Sequence, residues 1–249
     1  MSGHNKWSTI KHKKAKVDAA RGKLFTRLIR ELVVATREGG KDPDGNARLR
    51  SAIIAARNAN MPNDTVDRAI KRGAGEIEGA TYEEVTYEGY GPGGVAFFIE
   101  TTTDNRNRTV AEIRHLLSKR GGNLGTDGSV AWMFERKGLI EIKKGDHDFD
   151  AIFEAALEAG ADDVEAGGEI FAVYTEFTDL HEVSGAPEAA GFEISESKPV
   201  RLPNTPMSVE GSTAEQTLAI MELLEEHDDV ANVFTNADIS DAEMERLSS

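Results

Sequence analysis

The 249-residue chain contains no cysteine. This excludes a disulfide framework, a cysteine-ligated zinc finger and a thiol nucleophile, and it fits a reducing compartment. Long apolar runs are absent as well. No stretch approaches the roughly 18 apolar residues that a spanning helix needs. The first twenty residues, MSGHNKWSTIKHKKAKVDAA, hold no apolar segment of a secretory signal. The expectation is a soluble, cytoplasmic protein with no membrane partner. Catalytic signatures are also missing. Neither G-x-S-x-G nor G-x-x-x-x-G-K-[ST] occurs, and the six histidines (His4, His12, His115, His147, His181, His227) form no i, i+4 pair. Nothing in the chain asks for an enzyme, a metal, a cofactor or a small-molecule substrate.

Two motifs fail in context. Gly89-Tyr90-Gly91-Pro92-Gly93-Gly94 satisfies G-x-G-x-x-G, but a dinucleotide site needs a helix to open after the glycines. Here the strand-like VAFFIE follows, so the spacing predicts a hairpin. Asp146, Asp148 and Asp150 alternate like the start of a calcium loop, yet Ala151 and Leu157 stand where Gly and Glu are required. Acids at a helix start, favoured by the dipole, explain them better.

What the chain does have is a separation of charge. Residues 1–75 carry 17 Lys and Arg against 7 Asp and Glu, a balance of +10. The remainder carries 12 (29 − 17) against 37 (44 − 7), a balance of −25, and the two sum to the formal −15. Charges beyond about 8–10 Å are largely screened at physiological salt, so a partner feels the local block rather than the total. A basic block on an acidic chain is the electrostatic footprint of a nucleic-acid-binding segment.

The basic block opens with an arm over residues 1–22 in which Lys6, Lys11, Lys13, Lys14, Lys16 and Arg21 face only Asp18. Trp7 and His12 are interleaved with the lysines, and aromatic groups beside cations suit single-stranded or looped nucleic acid. From Lys23 to Glu38 the spacing is helical, with Leu24, Leu28, Leu32 and Ala35 inward and Lys23, Arg27, Arg30 and Arg37 forming a basic stripe. Gly39-Gly40 ends it. Helices over about 46–60, with Asn46 as N-cap, and about 63–72 after Pro62 complete a three-helix bundle over 23–78.

Near Thr81 the period changes to that of strands, and TYEEVTYEGY and GVAFFIETT flank the Gly-Pro-Gly-Gly turn. A helix follows, with Val110, Ile113, Leu116 and Leu117 inward and Thr109 to Glu112 as a capping box. Just before it, Arg106 and Arg108 in the stretch DNRNRT offer a second phosphate contact at a helix start. Two strands are expected at about 129–135 and 138–143. From residue 138 the order reads βαββαβ, the ferredoxin-like order, followed by a proline-rich connector over 199–206. The helix at about 213–227 and the strand at about 230–236 have no place in that unit. The reading is therefore an α+β multidomain chain: a helical bundle, an α/β middle domain over 79–136 plus 204–249, and a ferredoxin-like domain over 137–203 inserted into it.

Three long strings carry a resemblance: GHNKWSTIKHKKAKVDAARGKLFTRLIRELVVATREGG (3–40), GPGGVAFFIETTTDNRNRTVAEIRHLLSKRGGNLGTDGSVAWMFERKG (91–138) and DDVANVFTNADI (228–239). They are similar to the YebC family, to which the mitochondrial translational activator of cytochrome c oxidase also belongs. The resemblance implies the same three-domain plan and no catalytic residues. It implies a DNA-binding transcriptional regulator or, alternatively, a ribosome- or RNA-associated translation factor that assists elongation. The partner is then DNA or ribosomal RNA, with ribosomal proteins docking on acidic faces. Residues 138–249 hold 27 acids against Lys143, Lys144, Lys198, Arg201 and Arg246, which argues against direct nucleic-acid contact there.

Overall fold

A computed structural model describes residues 17–145 and 147–248. The described chain separates into two compact units: Trp132–Met207, and the residues before Trp132 together with those from Ser208 onward.

The second of these starts with three helices, α1 (Val17–Gly39), α2 (Ala47–Asn58) and α3 (Asn63–Gly73). Leu32, Val33 and Ala35 of α1 pack against Leu49, Ala52 and Ala56 of α2, Val66 and Ala69 of α3, and Met61 between them. Asn46 makes the α1–α2 turn possible. Its side-chain oxygen accepts from Leu49 N at 3.0 Å, and its amide donates to the carbonyls of Ala35 and Gly40, each at 2.8 Å. One buried amide thus serves the end of one helix and the start of the next. The inward stripe of α1 differs from expectation at one end: Leu24 is 45% exposed, and Phe25, Leu28 and Ile29 pack on the core instead.

Strands β1 (Glu83–Tyr90) and β2 (Ala96–Thr103) form the antiparallel hairpin, turned through Gly93 at φ 71° and Gly94 at φ 85°. Helix α4 (Arg106–Lys119) and the short β3 (Asn123–Leu124) follow. The helix starts at the cap Asn105, whose side chain accepts from Arg108 N at 3.1 Å. The capping box expected at Thr109 to Glu112 therefore does not form, because Thr109 lies one turn inside the helix and is fully buried. No strand forms over 129–133 either. Glu88, itself buried, accepts from the N–H groups of Gly128, Val130 and Ala131 at 2.6, 2.6 and 2.7 Å, so a carboxylate satisfies the backbone that a ladder would have paired.

The Trp132–Met207 unit contains β4 (Phe134–Lys143), α5 (Phe149–Glu158), β5 (Asp163–Gly167), β6 (Ile170–Glu176), α6 (Leu180–Ala189) and β7 (Ile194–Pro203). All pairings are antiparallel, in the order β5-β6-β4-β7. Ile152 and Ala156 of α5 and Val183 of α6 bury against Ile140, Ile142, Phe171 and Val173 of the sheet. The expected connector at Pro199 is strand instead: β7 runs through it to Pro203, with Pro199 opposite Gly138. An edge strand tolerates proline because only one side of its backbone is paired.

After β8 (Met207–Ser208) come α7 (Gly211–Glu225), β9 (Val230–Thr235), β10 (Ala237–Asp238) and α8 (Asp241–Ser248). Strand β9 pairs antiparallel with β2, giving the sheet order β3-β1-β2-β9. Its central strand β2 is buried along nearly its whole length. Helices α1–α3 and this sheet fall in the same compact unit.

Candidate nucleic-acid interface

Of the residues singled out in the sequence, Lys6, Trp7, Lys11, His12, Lys13, Lys14 and Lys16 lie outside the described residues. Arg21 lies in the first turns of α1. The three cations that follow it turn inward. Lys23 Nζ donates to the carbonyl of Glu226 at 2.9 Å, and Arg27 donates to that of Glu225. Arg30 donates to the carbonyls of Thr102 and Asp228 at 2.9 and 2.6 Å, and to Asp229 Oδ1 at 2.8 Å. The last carbonyls of a helix lack intrahelical partners and carry the negative end of its dipole. Lys23 and Arg27 supply the end of α7 with donors and positive charge, and Arg30 serves the turn that follows it and the end of β2. Burial holds the Arg27 pKa below its ordinary value.

Asp229, 2% exposed, is the centre of this corner. Besides Arg30, it accepts from Arg108 at 2.7 Å, Thr109 Oγ1 at 2.7 Å and Thr103 Oγ1 at 3.1 Å. Burial by itself would raise its pKa, but the hydrogen bonds from Arg108, Thr109 and Arg30 bring it down to about 2. The same bond to Asp229, with a second to Asp104, raises the Arg108 pKa above the usual arginine value. Glu112, His227 and Asp229 bring three oxygen or nitrogen atoms within 4.8 Å of one another. Those atoms already have partners: His227 Nδ1 accepts from Asp229 N at 3.1 Å, and Nε2 meets Glu112 at 2.8 Å. With two guanidinium groups on the aspartate, the trio forms part of a hydrogen-bond network.

The DNRNRT stretch thus divides. Arg108 is committed to Asp104 and Asp229, whereas Arg106 is exposed, with Glu83 as its ion partner at 3.8 Å. Asn105 caps the helix start that a phosphate would occupy. Arg48, which the sequence did not single out, meets Glu31, Glu38 and Glu84 at 2.7, 2.8 and 2.7 Å. Cations without such partners sit elsewhere. Among the described residues, Arg57 of α2, Arg68 and Lys71 of α3, and Arg114, Lys119 and Arg120 in and after α4 are exposed and form no ion pair. The signal for them was helical spacing, since Arg114 falls off the inward set of α4. Their positive charge is not neutralised by an ion pair within the described residues. Among the described residues no helix is long and apolar enough to cross a membrane.

Residues 5–76 match a family model described as the TACO1/YebC protein N-terminal domain, and residues 82–237 match the TACO1/YebC second and third domain. A protein of Acidithiobacillus ferrooxidans called a probable transcriptional regulatory protein is 61% identical over 247 residues, covering 99% of this chain and 98% of the relative. One of the same description from Geobacter sp. strain M21 is 53% identical, covering 99% and 100%. The crystal structure of a conserved hypothetical protein from Aquifex aeolicus superposes with a TM-score of 0.88 at 49% identity, covering 93% of this chain and 96% of that one. With family models matching residues 5–76 and 82–237 and relatives covering nearly its full length, the chain belongs to the TACO1/YebC family.

Proposed function

We propose that the protein is a non-enzymatic regulator of gene expression that binds nucleic acid through its basic N-terminal third. The observation that carries this reading is the inventory of cations after internal pairing. Lys23, Arg27, Arg30 and Arg48 are spent on the fold, but the lysines of residues 6–16 and the exposed Arg57, Arg68 and Lys71 leave a positive surplus on an acidic chain. The names of its relatives supply the regulatory role.

One feature favours RNA over duplex DNA as the target. A recognition helix enters the major groove with base-reading side chains at its start. The first turn of α3 instead carries Asp64, with Asp67 close behind, both exposed. Carboxylates there would meet phosphates. A lysine-rich arm with Trp7 and His12 suits a looped or single strand better. Crosslinking in cells followed by sequencing of the attached nucleic acid tests this. Ribosomal or messenger RNA in the adduct is expected, and discrete promoter DNA would replace RNA by DNA as the target.

The acidic 137–203 segment serves in this reading as a spacer or docking surface for basic proteins, inserted into a middle domain of 79–136 plus 204–249 beside the 23–78 bundle. Joining Ala131 to Ser208 with a short flexible linker should leave a cooperatively melting protein that keeps its RNA affinity. A chain ended at Pro203 loses β9, the partner of β2, and should not fold cooperatively. The opposite pair of results would refute the insertion.

A further inference from the structure

Helix α1, the end of α3 and the segment after it line an open cavity of about 460 Å³ whose walls include Val33, Arg37, Arg72, Ile77, Glu78 and Gly79. That volume lies in the range of small-molecule sites. Its chemistry is specific. Arg72 makes no hydrogen bond or ion pair among the described residues; its Nε is covered by the fold, and its terminal nitrogens are the donors left to meet a ligand. A guanidinium has five donors and stays charged, so an unpartnered one in a concave wall calls for an anion. Arg37 adds a second guanidinium; one of its nitrogens donates to the carbonyl of Tyr82.

The glycines around it shape the wall. A Cβ at Gly73 would stand 2.5 Å from the carbonyl oxygen of Val33, and one at Gly79 would stand 2.4 Å from Arg72 Nε. Gly79 therefore lets the backbone lie directly against the guanidinium without displacing it. Beside the cations are the apolar Ile77, 37% exposed, and the carboxylate of Glu78. An anion site next to an apolar wall with a carboxylate acceptor matches the parts of a nucleotide. The phosphate meets arginine, the base lies on aliphatic surface, and an exocyclic amine donates to a carboxylate.

We infer that this cavity takes one unstacked nucleotide, its phosphate on Arg72 and Arg37 and its base against Ile77, with Glu78 accepting from an amino group of the base. The inference rests on the nucleic-acid reading above and adds to it a site that holds a single residue of the strand. The same chemistry is offered by a free nucleotide, so the test has two arms: the four nucleoside monophosphates titrated by NMR, and a labelled single-stranded RNA 12-mer followed by fluorescence anisotropy. Both use the full chain and the variants Arg72→Met and Ile77→Ser, with thermal melts alongside. Arg72→Met should weaken oligonucleotide binding about tenfold, the worth of a charge-assisted hydrogen bond, and Ile77→Ser should weaken it less. Should Arg72→Met lower the melting temperature, the exposed Ile77 carries the test. Weakened 12-mer binding without monophosphate binding assigns the cavity to a strand. Monophosphate binding lost in the variants, with the 12-mer unaffected, assigns it to a free nucleotide. Equal 12-mer binding by all three proteins without monophosphate binding overturns the cavity and spares the nucleic-acid reading. No binding of either probe overturns both.

Discussion

A protein lacking residues 1–16 should unfold as cooperatively as the full chain and bind single-stranded RNA at least tenfold more weakly at moderate salt, with a flatter salt dependence. The deletion removes Lys6, Lys11, Lys13, Lys14 and Lys16 and stops just before Val17, where α1 begins. Each phosphate neutralised contributes about 0.7 to the slope of log K against log salt for a single strand, so five lysines account for a change of about 3.5. Anisotropy titrations at several salt concentrations measure it. An unchanged slope would move the contact surface to the exposed arginines of α2–α4, and a collapse in melting temperature would show that the segment belongs to a core. Cutting later, at residue 22, would confuse the two effects by removing the first turns of α1.

Replacing Asp229 by alanine should lower stability by about 3 kcal/mol and the melting temperature by about 6–12 °C, because a buried carboxylate that neutralises two guanidinium groups is lost. Arg30 would keep its two carbonyl partners but lose its counter-charge, and Thr103 and Thr109 would lose their carboxylate acceptor in a closed corner. The pH dependence gives an independent check. The folded pKa of Asp229 is depressed from 3.8 to about 2. Its contribution is therefore complete above pH 4 and is lost as the pH falls toward 2, in total about 2 kcal/mol. Asp229→Asn should flatten the acid limb of the stability profile in that window. A variant with the parent's acid limb would mean that other carboxylates set acid unfolding.

The parts of the fold written in local chemistry were legible in the sequence. Asn46 before an apolar-periodic run, and a Gly-Pro-Gly-Gly turn followed by VAFFIE, can each be read within ten residues. The βαββαβ order was legible for the same reason, as alternating periods. The misreadings share a different cause. A Thr-x-x-Glu pattern at Thr109 to Glu112 looks like a cap, but Asn105 lies closer to the end of β2, and Asp229, 120 positions away, draws Thr109 inward. A basic stripe on α1 reads the same whether it awaits phosphates or the carbonyl end of a helix almost 200 positions later. Sequence spacing carries the sign of a charge but says nothing of its partner. The cavity at Arg72 left only glycines as its trace, and these also mark any ordinary linker.

The prolines of β7 set how the acidic unit behaves at high concentration. A sheet edge with intact N–H donors is a template on which another chain can add a strand. At Pro199 and Pro203 that edge has lost donors at two points, at its middle and its end. Growth of the sheet is discouraged there, and the only other rim is β5, five residues long and closed by Gly167-Gly168. Excess negative charge keeps copies apart at a distance, and the interrupted rim keeps them from zipping together once they touch. Substitutions that remove both prolines should therefore reveal themselves as fibre-prone expression of the isolated unit.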